Sequence, residues 1–115
     1  MDESILDNIK SMLGLPDSYD AFDKDILPNI NSALFKLNQA GIGEEGFLVT
    51  DSTQLWQDFL GEYSDLLGGS ITFTYLQVKM MFDPPTNSFV LDAMKNQSEE
   101  LLYRLMIQVE EVHDV

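Results

Sequence analysis

No cysteine occurs anywhere in this chain, and the only histidine is His113. Without thiols there is no disulfide and no thiolate metal centre, and without a second imidazole the usual zinc sites cannot be built. Stability therefore has to come from packing or from association with other chains. Cations are scarce too: 6 Lys and Arg stand against 20 Asp and Glu, a formal net charge of −14. A surface of that sign repels phosphate and anionic lipid, which argues against nucleic-acid and membrane binding. No apolar run approaches the ~20 residues of a bilayer span. Met1-Asp2-Glu3 is acidic where a secretory leader would be basic, so neither a leader nor a membrane segment is expected.

What is present is a folding composition. Apolar residues make up 44% of the 115, ordinary for a domain with a core and too many for an acidic disordered tail. The length suits one domain spanning 1–115. The acidity is local as well as global, since residues 44–65 hold six acids and neither Lys nor Arg. For any single carboxylate the simplest role is solubility.

Residues 70–94 organise the rest. Ile71, Tyr75, Val78 and Phe82 recur at helical steps, while Phe73, Leu76, Met80 and Met81 cover most of the remaining circumference. A helix apolar on most sides belongs in an interior or an interface. Residues 71–75 also alternate as a strand would, but the uninterrupted length of the run favours the helix. Asp83-Pro84-Pro85 then stops it, because a residue before proline avoids the helical region and proline donates no hydrogen bond. Thr86, Asn87 or Ser88 can cap a long last helix over residues 88–112, with Val90, Met94, Leu101, Leu105, Val109 and Val112 along one seam. Leu91, Leu102 and Met106 widen that stripe. A helix of this length outruns a small core, so its far end is expected to project and to leave Val109 and Val112 in want of a partner.

Upstream, residues 4–13 read as a short amphipathic helix stopped by Gly14-Leu15-Pro16. Four aspartates follow within residues 17–25, but their order lacks the glycine and glutamate of a helix-loop-helix calcium site. They read as a capping loop in which Asp20 or Asp23 accepts from the next helix, with Tyr19 and Phe22 pinning the loop to the core. That helix covers residues 23–40, with Ile26, Ile30, Ala33, Leu34 and Leu37 inward and Gly41-Ile42 as its stop. Pro28 either lies in a first turn that begins near Leu27 or bends a helix that starts earlier. The glycine loop 41–46 contains two acids and lacks the lysine and the preceding strand of a phosphate cradle. Phe47-Leu48-Val49 reads as extended. Thr50, Asp51 or Ser52 then opens a third helix carrying Leu55, Trp56, Phe59 and Leu60, closed by Gly61, with Trp56 as a core anchor. Residues 62–69, with Gly68-Gly69, read as a connector.

No catalytic constellation emerges. His113 lies near the end of the sequence, and no two carboxylates share a strongly apolar helical face that would perturb their pKa values. Met12, Met80, Met81, Met94 and Met106 fall on core positions and read as packing. No enzyme and no cofactor is expected. The fold expectation is all-α: a compact bundle of about five helices, the last one long and set after the Pro-Pro corner.

Several stretches together resemble head-tail connector proteins of tailed bacteriophages. They are ILDNIKSMLGL over residues 5–15, FDKDILPNINSALFKLNQAGIG over 22–43, Glu45-Gly46-Phe47, WQDFLG over 56–61 and YLQVKMMFDPPTNSFVLDAM over 75–94. The most specific parts are FDPPTNS and the block from FDKDI to NQAGIG, and Pro28 departs from what the second helix of such a protein would contain. The resemblance implies a non-catalytic α-helical adaptor that docks beneath the capsid portal as a ring, commonly dodecameric in related connectors. That ring prepares a surface for the stopper (head-closure) or tail protein. It also implies that genome DNA slides through the ring without specific binding, for which an acidic wall is suited. On that reading Glu44, Glu45, Asp58 and Glu62 are candidates for the lumen, and Leu101, Leu105, Val109 and Val112 for contact with the portal or a neighbouring copy. The place of action would be the head-tail interface of the virion, after assembly in the bacterial host cytoplasm. Two other classes compete. An acidic inhibitor mimicking DNA would need charge at phosphate spacing on one rigid face, which the loop-heavy distribution fits poorly. A carboxylate-only metal enzyme would be revealed by calorimetric titration with magnesium, manganese and calcium.

Overall fold

The computed structural model describes residues 3–112, so His113 lies outside the described residues. Among the described residues five α-helices follow one another: α1 Ile5–Met12, α2 Asp23–Gln39, α3 Trp56–Leu60, α4 Leu67–Phe82 and α5 Ser88–Val112. A 3-10 segment, Gly61–Leu66, joins α3 to α4. The class is all-α, as expected; among the described residues the only β-type pairing is an isolated antiparallel bridge between Ser4 and Leu55.

The two glycine stops work as local chemistry dictates. Ser4 caps α1 by accepting from the Asp7 N–H at 3.2 Å. At the other end Gly14 takes φ +84°, its N–H donates to the Ser11 carbonyl and the Leu15 N–H reaches back to Lys10 at 2.8 Å. Gly41, at φ +94°, ends α2 the same way, with Gly41 donating to Asn38 and Ile42 to Leu37. In each case a left-handed glycine lets the chain fold back and satisfy carbonyls that the helix would otherwise leave bare.

The structure decides the Pro28 question: α2 begins at Asp23, so the proline sits in its second turn, exposed. Its missing N–H leaves the Lys24 carbonyl without the usual donor four residues on. The helix persists because Ile26, Ile30, Ala33, Leu34 and Leu37 all bury on one stripe. The capping expectation fails here. No side chain caps α2; Asp25 and Ile26 donate to the backbone carbonyl of Phe22, and Asp23 turns instead to Lys10. Tyr19 and Phe22 do tie the loop down, through edge contacts that run Tyr19 to Phe22 at 5.6 Å and Phe22 to Phe82 at 5.3 Å, though both rings stay partly exposed.

Residues 47–49 form no strand among the described residues. Asn31 on α2 substitutes for one: its Nδ2 donates to the Val49 carbonyl at 3.0 Å and its Oδ1 accepts from the Val49 N–H at 2.8 Å. Thr50, Asp51 and Ser52 do not open the third helix. α3 starts later, at Trp56, and the Asp58 carboxylate accepts from the Leu55 N–H at 3.2 Å. Asp51 is used in the preceding turn, where hydrogen bonds from Thr53 hold its carboxyl below the usual range.

The expected connector over 62–69 is another correction. It is a 3-10 turn followed directly by the first residues of α4, which takes in Gly68 and Gly69. The reason is tertiary: a Cβ on Gly69 would lie 2.7 Å from Leu105 Cδ2, so the absent side chain is the space into which α5 packs. α4 is helical, not strand-like, over residues 71–75. Its deepest face carries Ser70, Phe73, Thr74, Leu76 and Val78, whereas Ile71, Tyr75 and Phe82 are only partly buried. The methionines are likewise not core: Met12, Met81 and Met106 are exposed and Met80 and Met94 half-buried.

Ser70 Oγ and Thr74 Oγ1 are buried and have no hydrogen-bond partner among the described residues. Removing a buried unpaired hydroxyl recovers its desolvation. Thr74→Val, which keeps the shape, is expected to raise the unfolding free energy by about 1 kcal/mol, and Ser70→Ala by a similar amount. Urea denaturation of the two variants checks this, and a loss of stability in both would show that the hydroxyls are satisfied.

Among the three cap candidates it is Asn87 that starts α5, accepting from Phe89 at 2.8 Å and Val90 at 3.3 Å. The projecting end differs from expectation. Leu105 and Val109 are buried against the glycines of α4 and of the 41–46 loop. The beginning of α5 stands out instead, with Phe89 84% exposed. Toward the far end Val112 is exposed, at 48%, but Val109 is not.

Candidate functional site

Three features outside the core have geometry that bears on function. The first is an acidic edge. The Glu44 N–H donates to the Phe59 carbonyl at 2.8 Å, and Phe47 and Phe59 meet with ring centroids 5.5 Å apart. This stitches the glycine loop onto α3 and brings the segment carrying Glu44 and Glu45 beside the one carrying Asp58 and Glu62. All four candidate acids are exposed. The joint depends on Gly43, at φ +81°, because a Cβ there would lie 2.4 Å from the Phe59 ring.

The second is a buried cation. Lys10, on the last turn of α1, is 1% exposed and places Nζ 3.0 Å from Asp23 Oδ1 and 3.1 Å from the Asp17 carbonyl oxygen. The aspartate cluster that resembles a calcium loop in composition is thus organised around an ammonium group of the chain itself. Among the described residues no group of three or more His, Asp or Glu is arranged to hold a metal ion. Sequence reasoning missed this lysine; the signal was there, since Lys10 follows Leu6 by four residues on the inward stripe of α1.

Asp7 stands beside the same cluster. Burial, and next the negative charge of Asp17, push its carboxyl above the usual range, with Lys10 opposing. A carboxyl raised by folding is best tolerated protonated, so its penalty is present at neutral pH and is relieved as pH falls through its folded pKa toward the ordinary value. Asp7→Asn is accordingly expected to stabilise the protein at pH 7 and to lose that advantage below about pH 4. Thermal unfolding at both pH values checks the sign.

The third feature is an apolar groove of about 540 Å³ between α4 and α5. Phe73, Met80, Met81, Leu91 and Leu102 supply its apolar lining, and Met81 is 71% exposed. A polar chain crosses it: Lys36 Nζ donates to Gln77 Oε1 at 2.7 Å, and Gln77 Nε2 donates to Ser98 Oγ at 2.7 Å. Phe89 and Val90, just after the Pro-Pro corner, are exposed as well, which adds to the apolar surface that α5 offers to a protein partner.

The candidate contact residues of α5 divide. Leu105 and Val109 belong to the core, Leu101 packs partly against it and Val112 is exposed. Val90 and Met81 are surface residues that the sequence reading assigned to a buried seam or to the interior; Phe89, which it assigned to neither, is the most exposed of the three.

An all-α unit with exposed acids where the glycine loop meets α3, and with an apolar groove between α4 and α5, has the makings of an assembly protein. The phage connector protein family model matches residues 5–112, nearly the whole chain, and the protein belongs to that family. Comparison with curated proteins and with solved structures gives no match. Membership carries a structural role in phage assembly, contact with other head or tail proteins and a place in the virion. No helix among the described residues is long and apolar enough to cross a membrane.

Proposed function

We propose that residues 1–115 form a non-catalytic head-tail adaptor domain that docks as a ring, a dodecamer when assembled, beneath the capsid portal. The ring offers the surface on which a stopper or tail protein sits, and the genome passes through it without specific binding. The carrying observation is the match to the connector family over residues 5–112. The net charge of −14 supports the reading, since a negative wall does not hold phosphate. Glu44, Glu45, Asp58 and Glu62, stitched together by the Glu44–Phe59 bond, are the acids proposed for the lumen. Val112 and the partly exposed Leu101 are the members of the α5 seam proposed for contact with the portal or a neighbour, because Leu105 and Val109 are committed to the core.

The decisive experiment is electron cryo-microscopy of the protein assembled on portals from its own phage. The expected image is a ring on the portal's tail side with the four acids around the channel. Acids on the outer rim would overturn the lumen assignment, and absence of binding to portals would overturn the adaptor role. Val112→Asp is expected to weaken portal or neighbour binding with unfolding behaviour unchanged.

A further inference from the structure

Cations are rare enough here for their placement to be informative. Of the six Lys and Arg, Lys10, Lys79 and Arg104 form ion pairs within the chain. Lys24, Lys36 and Lys95 form none among the described residues, and two of these three, Lys36 and Lys95, stand on the rim of the α4–α5 groove. Among the described residues Lys36 bonds the neutral Gln77 amide and no carboxylate. One carboxylate, Glu99, shares the rim, so two ammonium groups face one acid on a molecule that is otherwise strongly negative. An apolar trough with a net positive rim suits a short acidic segment carrying small apolar anchors.

The far end of α5 is such a segment. Glu110, Glu111 and Val112 are all exposed, and Asp114 and Val115 continue the pattern in sequence. The same helix cannot serve its own groove. Leu91, on the groove wall, and Val112 are 21 residues apart on α5, about 32 Å at the helical rise. We propose that the α5 end of one copy docks into the Lys36–Lys95 groove of the next, with Val112 against Met81 and Leu91 and the acids toward the two lysines. The two surfaces differ, so the contact is head-to-tail and propagates from copy to copy until it closes. The ring geometry rests on the adaptor reading above; the pairwise contact does not.

The absence of native cysteine permits a clean test with a double variant, Leu91→Cys with Val112→Cys, in the full chain. An internal disulfide is excluded by the separation along α5, since bridged residues need Cα atoms within about 7 Å. Under oxidation, on portals and in concentrated protein alone, the expected result is a ladder of covalent multimers that reducing agent collapses. Lys95→Glu should weaken multimer formation about tenfold, and adding Glu111→Lys should restore it.

Rings on portals with no ladder, and with Lys95→Glu assembling as well as the parent, overturn this contact while leaving the adaptor role intact. Loss of portal binding in Lys95→Glu without any ladder makes the portal the occupant and overturns it equally. Products that stop at dimer overturn the head-to-tail arrangement. A ladder in protein alone without binding to portals upholds the contact and removes the adaptor role. No ladder under either condition and no portal binding removes both.

Discussion

Trp56→Ala is expected to lower the unfolding free energy by about 4 kcal/mol, the largest effect of any single substitution considered for this protein. The indole is fully buried and packs in the same cluster as Ile5, Ile9 and Phe59. It is also the point at which the beginning of the chain is fastened. Trp56 Nε1 donates to Asn8 Oδ1 at 2.9 Å, Asn8 Nδ2 donates to Glu3 Oε2 at 2.9 Å, and the Trp56 backbone N–H donates to the Glu3 carbonyl at 3.0 Å. Truncation therefore leaves a cavity and strands the Asn8 oxygen. Trp56→Phe separates the two contributions: it keeps most of the volume and loses the donor, and about 1–2 kcal/mol is expected. Urea denaturation of both variants checks the ranking, and equal losses would mean that the hydrogen bond and not the packing dominates.

Breaking the Lys10–Asp23 pair should have the second-largest effect, and the two ways of breaking it should differ. Lys10→Met keeps the apolar stem and strands Asp23, whose side chain is 27% exposed, so water softens the penalty to about 2 kcal/mol. Asp23→Ala strands an ammonium that is 1% exposed, with the Asp17 carbonyl as its remaining partner, and should cost about 3–4 kcal/mol. Lys10→Ala adds the loss of the buried stem and should approach the same figure. If Lys10→Met and Asp23→Ala prove equally damaging, the lysine is reached by water and its burial does not govern the pair. The comparison is best made at neutral pH and at two salt concentrations, because a buried pair is little screened.

The Lys10 result also bears on how the aspartates of residues 17–25 are understood. Four carboxylates in a short loop suggest a cation from composition, and the cation is supplied by α1, about one helix away in sequence and adjacent in space. The spacing was enough to reject a calcium loop. The spacing on α1 sets Lys10 on the inward stripe, but the partner it meets there is brought by a different segment.

The same division runs through the fold. Helix stops at Gly14 and Gly41 and the break at Pro84-Pro85 are events within a few residues, set by φ preferences and missing or available hydrogen bonds, and the sequence is sufficient for them; it narrows the α5 cap to three residues, of which the structure uses Asn87. The inward stripe of α2 is equally legible, since periodicity alone places Ile26, Ile30, Ala33, Leu34 and Leu37 together. Gly68-Gly69 misleads because a glycine pair is read locally as freedom, while here Gly69 is a close approach to Leu105. The methionines mislead for a related reason: Met81 has the hydropathy of a core residue, yet α4 is covered on fewer sides than its composition could fill.

Length, composition, charge and local stereochemistry by themselves determined an acidic, cysteine-free, all-α chain with breaks at Gly14, Gly41 and Pro84-Pro85, and the motifs that place it among phage connectors. Only the tertiary structure decided which apolar residues are spare. Leu105 and Val109 are interior while Phe89, Val90 and Met81 are surface, and the Glu44 loop is joined to α3. Periodicity tells which residues share a face of a helix; which faces find a neighbour is set by how the other helices cross it, a property of the whole chain that no single segment carries.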